Sequence, residues 1–253
     1  MSAVREDLFE YLLRIGDDAL IAAQRLAEWC ANAPDLEEDV ALTNIALDQL
    51  GVARAVLTYA GEVEGAGRDE DALAYLRDDR DFRNCLLVEL PNGDFAVTIA
   101  KLLALSGYQK SLYEALSGST DARLAGIAAK ARLESAYHFD HSAQWTLRLG
   151  DGTEESHRRM RDAVDEIWPY TGELFADDSV ADRLAAAGVA VPAGTLRPLW
   201  TEKVNGVLAE AMLTGPVEGW GPTGGRSGQH TGHLADLLAE AQVVHRAHPG
   251  ATW

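Results

Sequence analysis

The segment LESAYHFDH, Leu133 to His141, places a carboxylate and an imidazole four residues apart, at Glu134 and His138. Four residues is about one helical turn, so on a helix the two side chains share a face. Carboxylates and histidines on bundle helices are how a four-helix scaffold holds two iron atoms. Such a site takes one Glu from each of two helices and a Glu-x-x-His from each of the other two. The spacing lets i and i+3 converge on one ion while the carboxylates neutralise and bridge the pair. Two such motifs make a strong signal and one makes a weak signal.

The histidines limit this chemistry. All seven lie at position 138 or later: His138, His141, His157, His230, His233, His245 and His248. The first three bundle helices therefore contain no imidazole. The one Glu-x-x-His, Glu154 to His157, stands among Arg158, Arg159 and Arg161 at a helix start, where acidic residues answer the helix dipole. It reads as a solvated, charged helix terminus. Glu134 and His138 fall on a stripe with Ile127, Ala131, Trp145 and Leu149, which is expected to face the bundle core. The two are read as a buried polar network, bonded to each other or to groups on the first two helices, rather than as a ligand pair. The pairs His138/His141, His230/His233 and His245/His248 have i, i+3 spacing but no carboxylate or thiol partner in view, and are read as chance spacing on the surface. The Gly221 to Gly228 loop follows no strand and lacks a Gly-Lys-Thr/Ser ending, so it reads as a fixed turn or interface loop rather than a phosphate loop.

The elements that must position these residues are almost all helices, because Ala, Leu, Glu and Arg dominate and alternating β-branched runs are scarce. The spacing predicts helices over about Arg5–Ala31, Leu36–Ala60 with Asp35 as N-cap, a short Asp71–Arg77, then a helix from Asp94 to Leu116, and Ala122–Leu149. Four long helices with short connections imply an antiparallel four-helix bundle. Further helices are expected from Thr153, as N-cap, to about Phe175, then at Val180–Ala187, Leu196–Leu213 and Leu234–His245. They wrap the bundle rather than form a second domain. The expected organisation is thus one all-α domain over 1–253, with a four-helix core at about 5–150 and peripheral helices at about 153–246. Trp145, Trp200 and Trp220 are read as core rather than contact residues.

Composition excludes several classes. The chain has 253 residues, 40 acidic against 22 basic, and a net charge of -18. That argues against nucleic acid and against anionic membranes, both of which need clustered Lys and Arg. No run of about 18 apolar residues suggests a membrane span. The polar, acidic N-terminus is unlike a signal peptide. Cys30 and Cys85 read as small core residues in a reducing cytoplasm.

Four long segments carry a resemblance: RIGDDALIAAQRLAEWCANAPDLEEDVALTNIALDQLG, ALAYLRDDRDFRNCLLVELPNGDFAVTIA, AKARLESAYHFDHSAQWTLRLGDGT, and TGGRSGQHTGHLADLLAEAQ with the PGATW end. Through them, nearly the whole chain resembles the structural, C-type subunits of bacterial multicomponent phenylacetyl-CoA epoxidases. The resemblance implies a ferritin-like homologue of the di-iron catalytic subunit that has lost the metal site. Carried onto this sequence, the positions of the catalytic subunit's ligands fall at Gln49 and Val52 in the second helix. In the fourth helix they fall at Ser135 and His138, with Glu134 just before. The third helix is apolar at the matching place, Leu102 to Leu105. An acidic residue is expected where this chain has Gly232.

The resemblance further implies no cofactor in this chain. It implies a di-iron centre in the partner catalytic subunit, and FAD, an iron-sulfur centre and NADPH with a partner reductase. The expected role is a non-catalytic scaffold in aerobic phenylacetate degradation, within a cytoplasmic hetero-oligomer. A homodimer of the chain alone stays open. Two rival readings remain. One is a di-iron oxygenase with unusual ligands, Asp48 with Glu134 and His138. The other is an acidic platform that docks the basic face of the reductase.

Overall fold

A computed structural model of the chain describes residues 3–216 and 219–251. Thr252 and Trp253 of the PGATW end, and Val217 and Glu218 of the Gly-rich aromatic loop, lie outside the described residues. The protein is all-α, with no strand among the described residues. In chain order the helices are α1 (Ala3–Ala27), α2 (Leu36–Glu64), α3 (Glu70–Tyr75), α4 (Leu86–Glu89), α5 (Phe95–Leu116) and α6 (Ala122–Gly150). There follow α7 (Glu154–Ile167), α8 (Ser179–Ala186), α9 (Arg197–Glu210), α10 (Gly232–Ala241) and α11 (Val243–Ala247).

Side-chain caps set most starts. Asp35 accepts from the Glu38 amide at 2.9 Å, Asp94 from Val97 at 3.1 Å, Asp121 from Leu124 at 2.9 Å and Thr153 from Ser156 at 3.1 Å. Each satisfies an amide that the first turn leaves open. The ends depart more from expectation. α2 runs on to Glu64 and stops at Gly65, whose φ of 71° is the left-handed cap and whose amide bonds the Gly61 carbonyl. α7 stops at Ile167 because Pro169 lacks an amide, and the chain continues as a 3₁₀ turn over Trp168–Phe175. The expected helix over 234–245 breaks at Gln242, whose side-chain amide donates to the Ala74 and Arg77 carbonyls at 3.1 Å.

Contacts divide the chain into two compact units. One runs to Pro91 and resumes at Thr223; the other is Asn92–Pro222. In the first unit α1 and α2 form an antiparallel hairpin. Arg5 near the start of α1 bonds the carbonyls of Val63 and Glu62 near the end of α2, and Gly16 faces Val56 and Leu57 in the middle. Gly16 has no side chain because Leu57 occupies the place: a Cβ there would sit 2.7 Å from Leu57 Cδ2. Leu12, Ile21, Leu42, Ile45 and Leu57 fill the space between the helices and are fully buried. α2 is also long and apolar enough to cross a membrane, with a window of mean hydropathy 1.3 that is 44% buried within the protein.

In the second unit α5 and α6 form the other antiparallel hairpin. Phe95 meets Trp145 edge to face at 4.9 Å, and Glu114 pairs with Arg132 at the opposite end. α5 is buried nearly all round, as its run of small and apolar residues requires. Trp200 of α9 lies in this core, its indole N–H bonded to the Ala104 carbonyl at 2.9 Å and its ring against Phe175 and Trp168. Trp145 is half-buried, and Trp220 is 92% exposed, so only Trp200 is the core residue expected of all three.

Candidate functional site

The four positions matched to metal ligands are all buried. Gln49 and Val52 lie three residues apart on α2, and Ser135 and His138 lie three apart on α6. Their chemistry does not fit a metal pair. Val52 has no donor atom. The Ser135 hydroxyl donates to the Ala131 carbonyl at 2.7 Å, one turn back on its own helix. The matching stretch of α5, Leu102 to Leu105, is buried and apolar. Among the described residues no group of three His, Cys, Asp or Glu side chains is gathered where it could hold an ion.

Glu134 departs from its expected place. The buried face of α6 runs through Leu124, Ala128, Ala131, Ser135, His138, Ser142 and Thr146. Ile127, Trp145 and Leu149 are only half-buried, so the inward stripe is rotated from the one expected. Glu134 lies at its margin, where Oε1 pairs with Lys130 at 3.1 Å. Its Oε2 is buried with no hydrogen-bond partner among the described residues. In the Glu154 to His157 motif the ring is turned to the backbone. Glu155 engages Arg158 and Arg159, which hold its carboxyl down at about 2, and the His157 ring bonds the Gly150 carbonyl at 2.7 Å.

A different cluster, in the first unit, was not visible in the sequence. Asp17 and Asp18 of α1 are both buried. Arg77 grips Asp17 through both Nη atoms, and the Arg83 amide adds a bond at 2.8 Å. Arg226 grips Asp18 at 2.9 and 2.7 Å, and the Cys85 amide adds another at 2.7 Å. Burial pushes the Asp18 carboxyl above the usual carboxylate range, against the pull of Arg226. Beside them Glu89 of α4, fully buried, lies 2.8 Å from His230 Nδ1 and accepts from the Thr231 amide at 2.7 Å and from Asn84 at 3.1 Å.

His230 is thus no surface histidine, and it has the carboxylate partner that its sequence neighbours lack. His233, exposed, takes no part through its ring, and only its carbonyl accepts from Arg25. His245 stacks on Tyr75 at 5.4 Å. The Gly-rich loop is a fixed turn. Gly224 and Gly228 have φ of 132° and 76°, and a Cβ on Gly225 would run into the Asn84 carbonyl. Cys85 is buried as expected, whereas Cys30 is exposed.

The family model described as phenylacetic acid catabolic protein matches residues 1–253. The chain belongs to the phenylacetic acid catabolic protein family. The C subunit of the 1,2-phenylacetyl-CoA epoxidase of Escherichia coli (strain K12) is 47% identical to it over 246 residues, 97% of this chain and 99% of that protein.

Within this chain, polar chemistry is concentrated where it joins distant parts of the sequence. Asp18 to Arg226 spans 208 positions and Glu89 to His230 spans 141. Such pairs build a fold. The side chains of Gln49, Val52 and Ser135 offer an amide, a hydrocarbon and a committed hydroxyl, none of which can neutralise a pair of iron ions.

Proposed function

We propose that this chain is the non-catalytic structural subunit of a phenylacetyl-CoA 1,2-epoxidase, acting in phenylacetate degradation in the cytoplasm. The observation that carries the reading is the 47% identity to the C subunit of such an epoxidase over 97% of this chain. Its partners in this reading are the di-iron catalytic subunit and a reductase that uses FAD, an iron-sulfur centre and NADPH. The partner inserts one oxygen atom of O2 into the aromatic ring. This chain holds no cofactor and acts as a single ferritin-like body against which the catalytic helices pack.

The surface supports a packing role. On α2, Leu36, Val40, Leu47 and Leu50 are exposed and spaced three, four or seven apart, so they lie along one side of the helix. A second row on α6, Leu133 and Tyr137, is exposed as well. Apolar side chains aligned on a helix face are what a lasting subunit interface covers. Obligate interfaces bury upwards of about 2,000 Å².

The test is metal content, measured by plasma mass spectrometry on the isolated chain and on its complex with the catalytic subunit. No iron in the isolated chain, and about two irons per pair in the complex, are expected. Two irons in the isolated chain would make it a di-iron oxygenase in its own right, with Asp48, Glu134 and His138 as the first residues to replace.

A further inference from the structure

The two ring nitrogens of His230 face two oxygens. Nδ1 lies 2.8 Å from Glu89 Oε2, and Nε2 lies 3.1 Å from the Phe82 carbonyl oxygen. A neutral imidazole has one N–H and cannot serve both acceptors. The arrangement needs one hydrogen on Nε2 and a second between Nδ1 and Oε2. Whichever atom carries that second hydrogen, the pair holds one proton more than a neutral histidine beside an ionised glutamate. Donors already occupy the rest of Glu89: the Asn84 amide group on Oε2 and the Thr231 amide on Oε1. The two side chains are 3% and 0% exposed, so water does not stand in for a missing bond.

We propose that closure of segment 223–231 over α1 and α4 takes up a proton at the His230–Glu89 pair, which makes the segment a pH-dependent strap. The charges around the pair agree. Glu89 comes from α4. Asp17 comes from α1, bound by Arg77, and Asp18 beside it is bound by Arg226 of the strap itself. Arg25 of α1 donates to the backbone carbonyls of Glu89 and His233 and pairs with Glu28. Burial lowers the proton affinity of the imidazole. The hydrogen bonds to Glu89 and Phe82, with the negative charges of Glu89 and Asp17, outweigh it and hold the ring above the usual histidine value.

In the opened strap His230 meets water and releases its proton near the ordinary value of about 6.5. The closed form holds the proton more tightly. Closure is therefore favoured in full below the ordinary value, and the gain is lost as pH rises through the closed-form value. Arg226 stays charged throughout, so alkaline pH slackens the strap without detaching it.

Cys85 reports the motion. Its side chain is fully buried, and Gly225 of the strap rests on the Asn84 carbonyl and the Leu86 amide on either side of it. In a Cys30→Ser chain, Cys85 is the remaining thiol. Its labelling by a neutral disulfide reagent is followed from about pH 6 to 9, with and without His230→Gln; comparison at each pH cancels the ionisation of the thiol itself. The His230→Gln chain is expected to label faster near pH 6, by roughly tenfold for each unit that the closed-form pKa exceeds the ordinary one. The ratio then shrinks as pH rises. A ratio that stays constant across the range overturns the proposal. Proton NMR of His230 in the unaltered protein supplies a readout that does not depend on the variant folding. A titration midpoint above the ordinary histidine value is expected, and one at or below it overturns the proposal.

Discussion

Arg226 closes on Asp18 from 208 positions away, with Nη2 2.7 Å from Oδ2 and Nη1 2.9 Å from Oδ1. The same guanidinium donates to the carbonyls of Arg14 and Arg83. One side chain near the C-terminus thus satisfies a buried carboxylate and two backbone oxygens of the first unit.

Removing it leaves a buried charge without its counter-charge, which typically costs about 3–5 kcal/mol. Arg226→Met is expected to lower unfolding stability by that order in a urea titration followed by circular dichroism. Asp18 already lies above the usual carboxylate range through burial, and Arg226 opposes the rise. Without Arg226 the carboxyl rises further and tolerates its protonated form better than its charged one. The deficit is therefore full at neutral pH and shrinks as pH falls through the folded-state value. A deficit equal at both ends of the range would show that lost packing, not lost charge, is the cause.

Two helix-interior glycines should respond with opposite signs. At Gly126 of α6 nothing lies within 4 Å of an added Cβ, so Gly126→Ala should raise stability by about 0.5–1 kcal/mol. At Gly16 the added Cβ meets the buried Leu57, and Gly16→Ala should lower stability by about 1–3 kcal/mol. Thermal unfolding of the two variants side by side decides the matter, and a gain at Gly16 would mean that the α1–α2 hairpin relaxes freely.

Leu47 is 58% exposed on the apolar row of α2. Leu47→Asp should leave the circular dichroism spectrum and unfolding midpoint of the isolated chain unchanged. In the proposed complex, its affinity for the catalytic subunit, measured by calorimetric titration, should fall by about tenfold or more. Unaltered affinity would put the interface on another face.

Glu134 holds Lys130 and sits at the margin of the buried face of α6. Glu134→Gln should leave turnover of phenylacetyl-CoA by the reconstituted complex within about twofold, because no reacting group is lost in this reading. A loss beyond about a hundredfold at unchanged complex stability would return the chemistry to this chain.

Much of the helical order was legible in the residues, because its signals are local. Asp35, Asp94, Asp121 and Thr153 each cap the helix that follows them, through bonds two to three residues long. Pro169 marks the end of the α-helical part of α7, where residue spacing alone carries the helix on to about Phe175. The orientation of α6 was legible only approximately. His138 and Ala131 are buried as their spacing suggests, but Glu134 is rotated toward Lys130. Apolar spacing alone fixes a face to within about one residue of rotation.

The amino-acid sequence by itself determined that the chain is all-α, where its long helices begin, and that no histidine precedes position 138. It also carried the family, through long matching segments. Only the tertiary structure decided which carboxylates meet which bases. Asp17 with Arg77, Asp18 with Arg226 and Glu89 with His230 lie 60, 208 and 141 positions apart. No periodicity or local spacing records such pairs. They exist because folding buries acidic side chains that water no longer solvates, and the nearest base in space, not in sequence, must replace that water.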